Sequence, residues 1–309
     1  MGKKAFVFPG QGSQYVGMGR DLFEGHAEVR ELFAAADARL GESLSRLCFF
    51  GPADRLGQTA NTQPAVLLAS MAVLTVMRAA GAKPDFVAGH SLGEYSALAA
   101  AGVLDPIEAL WLVRRRGLYM EEAVPQGRGI MAAVLGLERD RIEEACRRAE
   151  DAGTVVVANL NAPGQIVISG LRPAVEKAAT LCRETGAKKV VLLDVSGPFH
   201  SPLMAPAATR LEPDLEQVRW RPPEVPIIAN CYARPVTEVA AIKAALLRQL
   251  TSPVRWQESI EYLAANGVDT FVEIGPGRVL SGLIRRIVPG ATICHAEDRA
   301  SLEKALASL

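Results

Sequence analysis

The stretch FVAGHSLGEY, Phe86 to Tyr95, contains Gly89-His90-Ser91-Leu92-Gly93. It matches G-x-S-x-G, a turn in which a strand passes sharply into a helix and holds a serine hydroxyl above the sheet edge. Glycine on both sides suits a turn with little room for a Cβ. Asp85 to Gly89 reads as a short buried strand entered from the break GAKP, and Leu92, Tyr95, Leu98 and Ala99 fall at helical spacing before a stop at Gly102. Strand, turn and helix are in the order an elbow for a nucleophilic Ser91 requires. The alternative is a glycine-rich connection whose serine only caps a helix.

Outward from the elbow, short β-branched runs alternate with amphipathic helices, which predicts an α/β fold with crossover helices over a sheet. TFVEIGPG and ATICHAED read as late strands of that sheet. One region has its own order. A strand (130–135), a helix (138–150), a hairpin (155–160 and 166–169 around NAPGQ), a helix (173–184) and a strand (189–195) give β-α-β-β-α-β, the ferredoxin-like arrangement. Each helix carries one apolar stripe, Ile142, Ala145, Cys146 and Ala149 in the first and Val175, Ala178, Ala179 and Cys182 in the second. The expectation is a main domain over 1–127 and 197–309, with 128–196 inserted as a small subdomain. The longest apolar run, Ala65 to Met77, ends at Arg78. It is shorter than the roughly 20 residues a spanning helix needs, and with Pro64 in its first turn and Gly81 beyond it reads as a core helix.

Composition limits what such a serine does. The 309 residues, 49% of them hydrophobic, suffice for a large core, and 34 basic residues balance 34 acidic ones. Zero net charge offers no global case for nucleic acid or a membrane surface. Five cysteines, Cys48, Cys146, Cys182, Cys231 and Cys294, lie far apart with no C-x-x-C pair. That favours reduced thiols in a cytoplasmic protein over disulfides or a metal site. The opening MGKKAFVFPG has too short an apolar run for a signal peptide, and Phe6 stands where a myristoylation pattern wants Ser or Thr.

A nucleophilic serine needs a base, because a free hydroxyl is protonated at neutral pH. The four histidines are His26, His90, His200 and His295. His26 sits in a polar helical stretch, His295 lies near the C-terminal end, and the side chain of His90 should point away from its neighbour. Elimination leaves His200, in DVSGPFHSPLM, on the loop where the chain re-enters the main domain. A plain surface role for a histidine between Phe199 and Ser201 stays open on this reading.

FPGQGSQYVGMG near the N-terminus, the elbow GHSLGEYSALAAAGVL, RRRGLYMEEAVPQGRGIMAAVLG, SGPFHSPLM and QLTSPVRWQESIEYLAANGVDTFVEIGPGRVLSGLIRRI follow one another along the chain. Together they resemble the malonyl-CoA:acyl carrier protein transacylases, over essentially the whole length. The resemblance implies a hydrolase-like α/β core with a ferredoxin-like insertion. It implies malonyl transfer through an ester on Ser91, with His200 as base and the carbonyl of Gln249 on the other imidazole nitrogen. Gln11 and Leu92 would supply backbone N–H groups to an oxyanion hole, and the N–H of Leu92 is free because it starts a helix. Of Arg114, Arg115 and Arg116, successive side chains on a helix diverge by about 100°, so one faces the site. The pattern of arginine before glycine selects Arg116 as reader of the malonyl carboxylate. Arg114 and Arg115 read as a solvated face or as carrier-protein contacts, and Phe199 beside the base would favour malonyl over methylmalonyl. The resemblance further implies no bound cofactor and no metal. Malonyl-CoA and phosphopantetheinylated acyl carrier protein would be the substrates, the latter meeting a basic patch drawn from Lys188, Lys189, Arg285 and Arg286 on a monomer. A serine esterase or lipase shares the elbow, but expects an acidic residue between Ser and His in the triad and an HGGG-type loop, and HGG occurs nowhere in the chain. A non-catalytic relative would be signalled by loss of Ser91 or His200, and both are present.

Overall fold

A computed structural model of the chain describes residues 2–193 and 195–309. Its strands are β1 (Lys3–Phe8), β2 (Phe86–Gly89), β3 (Gly129–Leu135), β4 (Val155–Ala162), β5 (Gln165–Leu171), β6 (Lys189–Leu192), β7 (Ile227–Ala229), β8 (Arg234–Val236), β9 (Val268–Ile274) and β10 (Thr292–Ala296). They form two sheets. The larger runs β10-β9-β1-β2-β7-β8 and is parallel apart from β8, which pairs antiparallel with β7. Ala5 to Phe8, Val87 and Ala88 are fully buried. Continuous apolar runs of this kind belong in a parallel sheet covered on both faces. The late strands expected from TFVEI and ATICHA are β9 and β10.

The smaller sheet, β4-β5-β3-β6, is antiparallel throughout. The helices Arg139–Ala149 and Arg172–Glu184 pack on it through the two stripes read from the sequence, all buried, and enclose a separate core with Ile130, Val134 and Ile168. Order and pairing are those of the ferredoxin-like arrangement. The last strand was expected to reach Val195. β6 stops at Leu192, with one further rung from the Leu193 N–H to the Met131 carbonyl, and Asp194 lies outside the described residues. β4 runs two residues past Leu160, and its middle is sewn to the core: the Leu160 N–H donates to the Val254 carbonyl and the Val254 N–H to that of Ala158, each at 2.9 Å.

The apolar run expected over Ala65 to Met77 belongs to a 21-residue helix, Thr59–Ala79. Length and composition would let it cross a membrane, but its apolar window is 89% buried inside the fold. Pro64 is therefore an interior residue of this helix, not a first-turn one. A proline here frees the carbonyl four residues back. That carbonyl, of Ala60, accepts from Arg114 Nη1 at 2.9 Å, so a side chain from the helix Pro106–Glu122 replaces the missing backbone donor.

Candidate active site

The elbow forms at the C-terminal end of β2, the edge of a parallel sheet where ligands bind. Ser91 has φ 53°, left-handed for a residue that is not glycine. Its flanking glycines have steric causes: a Cβ on Gly89 would lie 1.9 Å from the Gly93 carbonyl, and one on Gly93 would lie 2.2 Å from the Phe8 carbonyl oxygen. Strain of this kind persists only where the surroundings hold it. Here Asn230, just past β7, does so. Its Oδ1 accepts from the Ser91 N–H at 2.7 Å, and its Nδ2 donates to the Gly89 carbonyl at 2.6 Å.

His200 is 109 residues further on, 3% exposed, and likewise left-handed at φ 56°. Its Nε2 lies 2.8 Å from Ser91 Oγ and its Nδ1 lies 2.8 Å from the backbone carbonyl of Gln249. A carbonyl only accepts, so Nδ1 carries the proton and Nε2 presents its lone pair to the serine. The surface role left open for this histidine is excluded by its burial. Burial and then the nearby Arg116 charge push its pKa down to about 3, which keeps the ring neutral. His90 points elsewhere, with Nε2 2.9 Å from Asn161 Oδ1 on β4.

Gln249 orients His200 with its main chain alone. Its side chain is fully buried and does a different job: Oε1 accepts from Arg116 Nη2 at 2.9 Å, while Nε2 donates to the Ser91 carbonyl at 3.0 Å and to Glu94 at 2.7 Å. Arg116, 1% exposed, also donates through Nη1 to Gln63 Oε1 at 2.7 Å and through Nη2 to Ser91 Oγ at 3.1 Å. The Tyr95 ring lies 5.8 Å from the guanidinium. A salt-bridged structural role would need an acid beside it, and the two nearest in sequence are occupied: Glu122 pairs with Arg210, and Glu121 accepts from the Ala60 N–H. Arg116 thus sits beside the nucleophile, held by amide oxygens and in no salt bridge among the described residues, with the Glu94 carboxyl acting on it from the far end of Gln249. Burial pushes the Glu94 carboxyl up to about 7 against the opposing hydrogen bonds of Asn230 and Gln249 and the Arg116 charge. Arg114 is not on the solvated face expected of it, while Arg115 keeps 39% of its side chain exposed but is tied down as well. Arg114 binds Ala60, Asn61 and Glu42, and Arg115 pairs with the buried Asp214 at 3.0 Å, because their helix packs between Thr59–Ala79 and Ala205–Leu215.

These groups open into a cleft of about 1450 Å³ lined by the loops that follow β1 and β2 and by strands β3 to β6 of the smaller sheet. Gln11, Ser91, Leu92, Arg116, Phe199 and His200 all border it. The backbone N–H groups of Gln11 and Leu92 donate to no protein acceptor among the described residues. The Gln11 side chain ties its own loop down, with Nε2 3.0 Å from Thr59 Oγ1. Phe199 is 5% exposed beside the base. Of the basic candidates, Lys189 pairs with Leu135 in register, Leu135 with Gln165, and Gln165 accepts from Arg286, which brings three strand ends and one helix to a single rim. Asn230, Glu94 and Gln63 escaped the sequence reading. Glu94 had a visible signal, a carboxylate in the otherwise apolar or small helix Gly93–Ala100.

The acyl transferase domain family matches residues 5–292. The chain is 49% identical to the malonyl CoA-acyl carrier protein transacylase of Bacillus subtilis, over all of this chain and 98% of that one. It is 47% identical to the enzyme of the same name from Escherichia coli, over 98% of each. Among solved structures, an acyl carrier protein S-malonyltransferase from Vibrio cholerae superposes with a TM-score of 0.95 at 47% identity, covering 98% of this chain and 99% of that one. A malonyl-transacylase in complex with a type II PKS acyl-carrier protein superposes at 0.97 with 44% identity, over 99% of this chain and all of that one. Likeness of this extent, over a cleft with a serine, a histidine and an arginine within hydrogen-bond reach, means that the chain belongs to the malonyl-CoA:acyl carrier protein transacylase family.

Proposed function

We propose that this protein moves the malonyl group of malonyl-CoA onto the phosphopantetheine thiol of acyl carrier protein, supplying fatty acid synthesis. His200 Nε2 takes the Ser91 proton as Oγ attacks the thioester carbon. The oxyanion lies between the N–H groups of Gln11 and Leu92, the C–S bond breaks, and the thiolate of CoA takes the proton from His200. The carrier thiol then repeats the sequence in reverse on the Ser91 ester, a ping-pong exchange that leaves the enzyme unchanged. The observation that carries this reading is the Arg116 guanidinium 3.1 Å from Ser91 Oγ and, among the described residues, in no salt bridge with a carboxylate. It suits an acyl group that ends in one. Mixing the enzyme with malonyl-CoA and no acceptor tests the reading by intact mass: one malonyl adduct on Ser91 is the expected result. Unmodified enzyme with free malonate and CoA would make the protein a hydrolase.

Phe199 is the group proposed to refuse an α-methyl substituent, through its ring beside the base. One methyl group is worth about 1–3 kcal/mol of discrimination. Phe199→Ser therefore raises the methylmalonyl to malonyl ratio of kcat/KM without inverting the preference. An unchanged ratio would leave the ring as core packing.

Carrier recognition is assigned to the rim where Lys188, Lys189, Arg285 and Arg286 are exposed. Charges at the edge of an interface act on association rate and its salt dependence. Replacing Lys189 and Arg285 by Gln raises KM for the carrier and flattens its salt dependence, while KM for malonyl-CoA stays as it was. A carrier KM that is already flat from low to high salt in the wild type counts against this surface.

A further inference from the structure

We infer that Glu94 is a positioning residue for the choice of acyl group: its carboxyl fixes the Gln249 carboxamide in the orientation that keeps Arg116 aimed at Ser91. This rests on the reading of Arg116 given above. Glu94 is 2% exposed, on a helix whose other residues are buried and apolar or small. A carboxyl so placed is costly unless hydrogen bonds compensate it. Glu94 Oε2 accepts two, from the Asn230 N–H at 3.0 Å and from Gln249 Nε2 at 2.7 Å.

The two ends of a carboxamide differ only in that one accepts and the other donates. The nitrogen end of Gln249 faces three acceptors: Glu94 Oε2, the Ser91 carbonyl at 3.0 Å and Asn230 Oδ1 at 3.3 Å. Its oxygen end faces Arg116 Nη2. Turned the other way, Gln249 would set an NH2 against the guanidinium and an oxygen against three oxygens. Bulk solvent does not relieve the mismatch, because the side chain is fully buried. Of the three acceptors only Glu94 can carry charge, and a charged acceptor makes about twice the hydrogen bond of a neutral one. The Glu94 side chain hydrogen-bonds to neither Ser91 Oγ nor His200. Its influence passes through Gln249 to Arg116, whereas His200 depends on the Gln249 main chain. The consequence is selective, falling on recognition of the malonyl carboxylate more than on proton transfer.

Glu94→Gln keeps the volume but lets a neutral amide present either end to Gln249. The experiment is single-turnover acylation of Ser91 by malonyl-CoA and by acetyl-CoA, followed by intact mass, with melting temperature alongside. The ratio of the malonyl to the acetyl rate falls about three- to tenfold in Glu94→Gln, the size expected when one charge-assisted hydrogen bond becomes neutral. In a Gln249→Met background the same change leaves the ratio where Gln249→Met alone has put it. A wild-type ratio in Glu94→Gln, or equal losses for both substrates with a lowered melting temperature, overturns the proposal. Gln249→Met approaches the same link from its far end: a wild-type ratio there overturns it even if Glu94→Gln does not fold. A wild-type enzyme that forms no malonyl ester at all brings down the functional reading itself, a failure distinct from these.

Discussion

Ser91→Ala folds as the wild type does and takes up no malonyl group, and His200→Ala acylates about 10² to 10⁴ times more slowly, the usual worth of a positioned general base. The first result follows from the ester: with no Oγ there is nothing to acylate. The second is a rate effect only, because Ser91 Oγ keeps its hydrogen bond from Arg116 at 3.1 Å when the histidine at 2.8 Å is removed. Acylation by the wild type also has a distinctive pH dependence. The base works unprotonated, and its pKa is pushed down from 6.5 to about 3 by burial and by Arg116. Lowering that pKa moves the acid loss of activity downward, so the rate of Ser91 acylation by acetyl-CoA, which does not draw on the Glu94 carboxyl, stays flat in single-turnover experiments as pH falls through 6.5. A single-proton loss centred near 6.5 would mean that His200 is solvated in the working enzyme. Normal transfer by Ser91→Ala would end the covalent mechanism.

Arg116→Ala lowers kcat/KM for malonyl-CoA at least tenfold, about 1.4 kcal/mol, while acetyl-CoA loses little. Charge-assisted hydrogen bonds contribute roughly 1.5–3 kcal/mol, and a carboxylate brought into the cleft without its partner is desolvated as well. The existing contacts of Arg116 sharpen the expectation. Gln63 and Gln249 hold the guanidinium through neutral oxygens, so an incoming carboxylate meets a charge in no salt bridge among the described residues. Its arrival also relieves the positive field that depresses His200, so the correct acyl group strengthens the base that will act on it. Acetyl brings no such charge. Arg116→Lys recovers part of the loss, since an ammonium keeps the charge but not the planar fork. Equal losses for malonyl-CoA and acetyl-CoA in a destabilised Arg116→Ala protein would make the arginine a structural strut.

Local chemistry wrote much of this into the chain. The elbow was legible because its glycines leave no room for a Cβ: at Gly89 it would lie 1.9 Å from the Gly93 carbonyl, a clash inside the turn itself, while the second constraint, 2.2 Å from Gly93 to the Phe8 carbonyl oxygen, comes from the neighbouring strand β1. The order of the small sheet was legible because each of its helices carries one apolar stripe and each strand a β-branched run. Helical geometry said only that three adjacent arginines cannot all face one site; the family resemblance, with its arginine before a glycine, is what selected Arg116, and a Cβ on that glycine would meet Ala60 at 2.8 Å. What sequence could not decide was which polar groups meet in the interior. Arg114 and Arg115 looked solvated because a run of charges on a helix usually is, yet one replaces the donor that Pro64 lacks and the other reaches a buried aspartate. Gln249 could have met His200 through its side chain or its main chain, and only the position of the helix Val239–Thr251 assigns the backbone carbonyl to the histidine and the amide to Arg116. Asn230 and Glu94 are 136 residues apart and are joined by a hydrogen bond. Backbone turns and apolar periodicities are enforced by near neighbours and so can be read along the chain. Partners for buried polar groups are chosen by whatever the fold brings within about 3 Å, and that is a property of tertiary structure alone.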